Sequence, residues 1–278
     1  MRVLITGGSG YLGGLTAKHL QTLQYDDLGC IVRSEKRKGV LGQLAKPPEL
    51  LIADQHLDKA ISRFSPDCVI NIAGTYGRDH SDAELIEGNF LFPLHVLQCA
   101  KQSGIKRWVN VDTALPATLN AYSLSKASFV EWGRYYCNNQ IHFLNLSVEQ
   151  FYGPGQPDTY FLSWVIEKLK HDEPVFLTKG TQKRDFIFVD DVVNAITAAI
   201  SLETNDWFCE IPVCSGEAPT IREVVEYLKS LTHSTSKLVF GAVPMRDGEP
   251  NSSCDFSGMR LLGIQNVVNW KDGLKTLL

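Results

Sequence analysis

The sequence predicts an α/β fold, a doubly wound parallel sheet followed by a smaller α/β region toward the C-terminus. Three observations carry this expectation. Short runs of apolar residues alternate with segments of helical periodicity through the first half, the pattern of strands buried on both faces. A glycine-rich turn, "TGGSGYLGG", joins the first apolar run to the first helical segment. After Tyr152 the alternation stops at "YGPGQPD", a turn-rich break.

Taken in order, "RVLITG" is a strand ending in glycine, and "YLGGLTAKHLQTL" places apolar residues at helical spacing. "LGCIVRS", "LLIAD", "DCVINIAG" and "KRWVNVD" read as strands two to five, and "IHFLNLSV" as a sixth. Helical patterns separate most of them, notably over 82–103 and 121–137. Beyond the break, helices are expected near 159–171, 190–203 and 220–232, with short strands near 174–177, 208–213 and 237–240. That half is too interrupted to repeat the first. The expected division is a dinucleotide-binding domain of the Rossmann kind over 1–152 and a substrate-binding region over 153–278, with chain crossings between them and the second packed on the carboxyl edge of the sheet.

The totals agree. A chain of 278 residues accommodates one large α/β domain with an annex. Hydrophobic content of 44% and charged content of 21% are those of a soluble globular protein. The net charge of −4 gives no pull toward nucleic acid or an anionic membrane. No apolar run approaches the ~18–20 residues needed to span a bilayer, and the N-terminus turns to glycine too early for a signal peptide. The seven cysteines are odd in number, form no C-x-x-C and sit mostly in apolar patterns, so they are expected as buried small hydrophobes in a reducing compartment, the cytoplasm. The seven histidines contain no i, i+4 pair, and no metal site is expected.

The glycine turn places Gly7, Gly10 and Gly13, with Tyr11 and Leu12 between the last two, where a first strand meets a first helix. One glycine permits a tight turn, one lets backbone approach a pyrophosphate, and one lets helix and strand pack closely. The helix start then offers N–H donors and partial positive charge to phosphate. At the end of strand two an acid commonly bonds the ribose 2′-hydroxyl of NAD. Here Arg33 and Ser34 occupy that place, followed by Lys36, Arg37 and Lys38. A guanidinium matches a 2′-phosphate in charge and fork geometry, so NADPH is expected ahead of NADH. The bland alternative is a solvated basic loop. Asp54, after strand three, is expected at the adenine end of the cofactor, and Ala73 and Gly74, after strand four, leave room for it.

In "VDTALPATLNAYSLSK", Tyr122 and Lys126 stand four apart at the start of a helix, and Thr113 lies just beyond strand five. Tyr-x-x-x-Lys arises often by chance, as a surface tyrosine resting on a lysine stem. In this context the three side chains meet at the carboxyl edge of the sheet, where open α/β folds bind ligands. A phenol with a pKa of about 10 needs roughly 4 kcal/mol of help to exchange protons near neutrality, the order of energy a nearby ammonium supplies in a dry cleft. Lys126 would also hold the nicotinamide ribose, and Thr113 would orient a substrate oxygen toward Tyr122.

These motifs together resemble the extended short-chain dehydrogenase/reductase family, in its nucleotide-sugar branch. "RVLITGGSGYLGG" looks like its amino-terminal fingerprint, "YSLSK" like its Tyr–Lys motif, and "EGNFLFPLHVLQCA" like the helix whose asparagine, here Asn89, supports the active site. "YGPGQP", "RDFIFVDDVV" and "MRDGEP" resemble the segments that close on the sugar nucleotide, and the resemblance implies diphosphate contacts for Arg184 and Arg246. "TKGTQKRDFIFVDDVV" is most similar to bacterial reductases of nucleotide-linked 4-keto-6-deoxyhexoses, such as CDP-abequose and CDP-paratose synthases, which implies deoxysugar synthesis for O-antigen or other surface polysaccharide. Two departures matter. Dehydratases of the branch follow their threonine with Asp-Glu, whereas Ala114 and Leu115 follow Thr113 here. Where an arginine and an asparagine often precede "YGPG", this chain has Ser147 and Gln150, so Gln150 is expected to replace a sugar contact. The resemblance thus implies a nucleotide-sugar 4-ketoreductase, with an NAD-dependent 4-epimerase or a non-catalytic NADP-binding sensor as the alternatives. It also implies a homodimer formed by the helices near 82–103 and 121–137.

Overall fold

The structure is a computed structural model describing residues 1–34, 39–76, 80–137 and 140–278. Lys36, Arg37 and Lys38 lie outside the described residues. The chain divides into two compact units, one formed by 1–147 and 193–211, the other by 148–192 and 212–278. The polypeptide therefore passes from one unit to the other three times.

The first unit is built on a parallel seven-stranded sheet. Its strands are β1 (Val3–Thr6), β2 (Leu28–Val32), β3 (Glu49–Ile52), β4 (Cys68–Asn71), β5 (Arg107–Thr113), β6 (His142–Val148) and β10 (Phe208–Val213). Their order is β10-β6-β5-β4-β1-β2-β3. β1 is central: Val3 lies opposite Leu28 of β2 on one side and Cys68 of β4 on the other, in parallel register. The chain runs outward from β1 in both directions, so the crevice at its carboxyl end is the topological switch point of the sheet. Helices α1 (Tyr11–Thr22), α2 (Leu57–Phe64), α3 (Asp82–Ile86), α4 (Phe92–Gln102), α5 (Ala121–Cys137) and the greater part of α7 (Val189–Ser201) complete the unit. All residues of β1, β2 and β4 are buried, which is why those strands read as apolar on both faces. Trp108, Phe129 and Phe143 form an aromatic centre, with the Trp108 and Phe143 rings stacked 6.2 Å apart.

The second unit contains β7 (Gln150–Tyr152), α6 (Phe161–Lys170), β8 (Val175–Leu177), β9 (Phe186–Phe188), α8 (Ile221–Thr232), β11 (Leu238–Phe240), α9 (Ser257–Leu261) and α10 (Trp270–Lys275). β7 pairs in parallel with β9, and β8 with β11. α8 begins with a reciprocal cap, Thr220 and Glu223 each bonding the other's backbone N–H. Tyr152, Phe186, Val224, Leu228 and Leu274 form its core, and the Tyr152 hydroxyl donates to the Trp270 carbonyl at 3.1 Å.

The elements differ from the sequence reading in three places. The strand at 208–213 joins the main sheet as its outer strand β10 rather than the later region, anchored by Phe143 N–H donating to Trp207 O at 2.8 Å. The helix expected over 82–103 is two α-helical pieces joined by a π-helical turn, Glu87–Leu91. The widened turn brings Gly88 against Thr75, where a Cβ would lie 2.1 Å from Thr75 Oγ1. The three-residue strands β7 and β9 were not read as strands, being short and immediately followed by turn or helix signals.

Candidate active site

The loop after β1 is shaped by sterics. Gly7 adopts a left-handed φ of +72°, and a Cβ on it would stand 2.7 Å from Ala73 N. A Cβ on Gly13 would lie 2.2 Å from the Gly7 carbonyl oxygen, so only glycine lets α1 start this close to the loop. Gly10 caps α1 without a side-chain bond, and no acid stands in the first turn. The N–H groups at the helix start, around Tyr11 and the buried Leu12, are thus presented without a competing carboxylate. This cradle has the form a dinucleotide pyrophosphate requires.

The floor beside it is set by Thr6. Its buried hydroxyl accepts from Ile72 N–H at 3.1 Å and Ala73 N–H at 3.0 Å while donating to Asn71 Oδ1 at 2.7 Å. Ala73 and Gly74 therefore leave β4 on a fixed path. Arg33 is exposed immediately after β2, with Ser34 half-buried beside it in sequence. Asp54 is exposed between β3 and α2, its carboxylate accepting from His56 N–H at 2.8 Å.

The residues expected to handle protons lie at the end of β5 and the start of α5. Lys126, on α5, is buried, and its Nζ donates to the Val111 carbonyl at 2.7 Å. Burial pulls its pKa down, while the negative charge of Asp112 pushes it back up. Thr113, two residues beyond Val111, is half-buried, and its Oγ1 accepts from Leu115 N–H at 3.3 Å. Tyr122, also half-buried, shares the Lys126 side of α5 by the i, i+4 spacing. Its ring stands edge-on to that of Tyr76, centroids 4.9 Å apart. Asn89, inside the π-helical turn, is buried with both ends of its amide used. Oδ1 accepts from Thr75 N–H at 2.7 Å, and Nδ2 donates to Thr75 O at 3.0 Å and Ser125 Oγ at 3.1 Å. Ser125 directly precedes Lys126, so Asn89 ties the exit of β4 to the helix carrying Tyr122 and Lys126.

Gln150, Arg184 and Arg246 belong to the second unit. Gln150 lies in β7 opposite Phe186 of β9. Arg184 is buried, its guanidinium bonded to Glu249 and to the carbonyls of Lys183 and Pro250. Arg246 is exposed, and its carbonyl accepts from Glu249 N–H at 3.3 Å. The "MRDGEP" loop is thereby fastened to the segment before β9, with further bonds from Lys183 N–H to Asn251 at 2.8 Å and Asp185 N–H to Ser252 at 2.9 Å.

Tyr76 and Asp112 were not singled out from the sequence. Tyr76 carried no signal beyond following Gly74 by two. Asp112 stood in view inside "VDT", next to the threonine that drew attention.

Comparison with known proteins agrees with this architecture. A model of the NAD dependent epimerase/dehydratase family matches residues 3–207. The CDP-abequose synthase of Salmonella muenchen is 31% identical over 227 residues, 78% of each chain. That of Salmonella typhimurium is 29% identical over 99% of this chain and 97% of its own. Among solved structures, the UDP-glucuronic acid 4-epimerase of Bacillus cereus, in complex with UDP-glucuronic acid and NAD, superposes with a TM-score of 0.86 at 21% identity, covering 99% of this chain and 97% of its own. The Thermus thermophilus UDP-glucose 4-epimerase complexed with NAD gives 0.82 at 22%, with the same coverage. Fold and loop thus define an NAD(P)-dependent enzyme of the oxidoreductase type. The chain belongs to the NAD dependent epimerase/dehydratase family.

Proposed function

We propose that this enzyme uses NADPH to reduce the C4 ketone of a nucleotide-linked 4-keto-6-deoxyhexose, in the cytoplasmic synthesis of deoxysugars for O-antigen or other surface polysaccharide. The observation that carries the reading is an acid–base set, Thr113, Tyr122 and Lys126, followed by Ala114 and Leu115. Neither of the latter can transfer a proton, so the set suits carbonyl reduction and not the loss of water. The CDP-abequose synthases that resemble this chain support a deoxysugar nucleotide as substrate.

Bound NADPH supplies the hydride to C4. Tyr122 donates its proton to the C4 oxygen, and Thr113 bonds the same oxygen, where negative charge develops. Lys126 gives up its bond to Val111 O to hold the nicotinamide ribose, and its ammonium favours the phenolate left on Tyr122. Gly7, Gly10, Tyr11, Leu12 and Gly13 cradle the pyrophosphate, Asp54 attends the adenine end, and Asn89 holds Thr75 and Ser125 in register. Arg33, with Ser34, takes the 2′-phosphate, which is why NADPH is chosen over NADH. Gln150 contacts the sugar, and Arg184 and Arg246 bind the diphosphate by charge-assisted bonds, Arg184 exchanging Glu249 for it.

The enzyme is proposed to act as a homodimer through α3, α4 and α5. Support comes from large apolar side chains left exposed on those helices and the π-helical turn joining the first two, namely Ile86, Leu91, Leu124, Trp132 and Tyr135. Sedimentation as a monomer at micromolar concentration would remove this part of the proposal.

A 4-epimerase is kept as the second reading, because the structural neighbours include 4-epimerases holding NAD. One experiment separates the two. Enzyme, NADPH and the 4-keto-6-deoxyhexoses linked to CDP, dTDP, GDP or UDP are mixed, and reduced nicotinamide is followed by absorbance. Stoichiometric NADPH loss with one C4 alcohol formed is the expected outcome. Interconversion of two 4-hydroxy sugars without net cofactor use would establish the epimerase.

A further inference from the structure

A chain of side-chain hydrogen bonds, buried from β1 to β6 and ending on the exposed Glu210 of β10, runs across five strands of the sheet. Thr6 of β1 donates to Asn71 of β4 at 2.7 Å, Asn71 to Asn110 of β5 at 2.8 Å, and Asn110 to Asn145 of β6 at 2.7 Å. Asn145 Nδ2 then donates to Glu210 Oε1 of β10 at 2.8 Å and to Asp112 Oδ2 of β5 at 3.2 Å. Thr6 and the three asparagines are each no more than 2% exposed. A line of amides in a sheet interior is costly to bury unless every group is paired. Here each amide both accepts and donates.

The direction of the line has a cause. An ionised carboxylate only accepts. With two carboxyl groups at the β10 end, Asn145 presents its NH₂ to them and its oxygen to Asn110, although burial and the charge of Asp112 push the Glu210 pKa up. Asn110 and Asn71 follow in the same sense. The Thr6 proton then points at Asn71, leaving the Thr6 oxygen to accept from Ile72 and Ala73 N–H on the cofactor side. The other Asp112 oxygen, Oδ1, is buried with no hydrogen-bond partner among the described residues. Asp112 sits between Val111, whose carbonyl takes the Lys126 ammonium, and Thr113. Among the described residues, the charges of Lys126 of α5 and Glu210 of β10 act on its carboxylate, with Arg134 and Glu131 of α5 acting in turn on Glu210.

We propose that Asp112 is a positioning residue of the acid–base site: its half-buried carboxylate, held by Asn145 and next in the chain to the carbonyl that takes the Lys126 ammonium, sets an anion at that end of the amide line. An ammonium buried against a backbone carbonyl alone loses its proton easily. An anion one residue beyond Val111, held by the Asn145 amide, favours the charged lysine while leaving Nζ able to leave Val111 O for a ribose hydroxyl. The proposal rests on the reading of Lys126 as the partner of Tyr122, but its first test needs no turnover.

Lysine labelled with ¹³C at Cε, with the Lys126 signal assigned by its absence in Lys126→Arg, gives the titration of Lys126 by NMR in the cofactor-free protein. In Asp112→Asn, which keeps the shape and removes the charge, the midpoint should fall by about one pH unit or more. Asp112→Ser, smaller and free of an amide that could face Asn145 wrongly, should fall likewise. The high-pH limb of turnover should move down by a similar amount, with NADPH affinity within about twofold of native. An unchanged Lys126 midpoint in either folded variant overturns the proposal. So does failure of both variants to fold, which would make Asp112 a structural residue. A shifted midpoint with no reduction of any 4-keto sugar by the native enzyme would uphold Asp112 and remove the substrate reading instead.

Discussion

The two units handle buried polarity in opposite ways. In the first, polar side chains of neighbouring strands face one another in a single directed line, from Thr6 to Glu210. In the second, charge is neutralised by a loop folded back on the chain, Glu249 against Arg184 and Ser252 against both Asp185 N–H and Glu149. The first arrangement holds the proposed acid–base groups in place before any ligand arrives, with Lys126 exchanging its backbone partner Val111 O on binding. The second occupies Arg184, the cation proposed for the substrate diphosphate. The difference teaches where chemistry and where selectivity are expected to reside: proton and hydride handling in the rigid sheet, discrimination among nucleotide sugars in a loop whose ion pair must be exchanged.

The sharpest way to break this contrast is Tyr122→Phe. It removes one hydroxyl from the preset side, and turnover should fall by about 10²–10⁴-fold with cofactor binding retained. A near-native rate would place the acid elsewhere and dissolve the contrast. Arg33→Asp comes next. An exposed ion pair is worth little by itself, but reversal replaces attraction with repulsion, and NADPH should bind roughly ten- to a hundredfold more weakly while NADH gains. Equal native affinity for the two cofactors, measured by fluorescence titration, would contradict the assignment. For the loop, Glu249→Gln keeps the shape and frees the Arg184 charge. Affinity for a nucleoside diphosphate should rise several-fold, up to about tenfold, and the gain should shrink in high salt. No gain would mean that Arg184 serves the fold alone. The smallest effect is expected from Tyr152→Phe, which deletes the bond to Trp270 O in the core of the second unit and should cost about 1 kcal/mol of stability by chemical denaturation.

Most of the sheet was legible because buried parallel strands announce themselves by local composition, as in "VLIT" and "CVIN". The glycine loop was legible because sterics at Gly7 and Gly13 admit no other residue. What escaped was non-local. The strand Phe208–Val213 looks the same whether it edges the large sheet or a small one, and its partner β6 lies some sixty residues away. The extra residue of the π-helical turn at Glu87–Leu91 leaves apolar spacing almost unchanged, and only its contact with Thr75 reveals it. The resemblance implies a diphosphate contact for Arg184, and the ion pair to Glu249, 65 residues further on, has no sequence signal. The amide line left one trace, an asparagine inside or at the end of each of three strands, "CVIN", "RWVNVD" and "HFLNLS". Nothing short of the strand order β6-β5-β4-β1 could join those three letters.

The threefold passage of the chain between the units bears on how this protein could be divided by evolution or by design. A fragment cut after Tyr152 would contain every proposed acid–base residue and most of the dinucleotide cradle, yet it would lack β10. The open side of β6 would then present unpaired N–H and C=O groups, a template for pairing with other copies. Glu210 would vanish from the end of the amide line at the same stroke. The first unit is thus not a detachable module. Its last strand is encoded after much of the second unit, and shuffling at the apparent boundary would yield an aggregating sheet in place of a smaller enzyme.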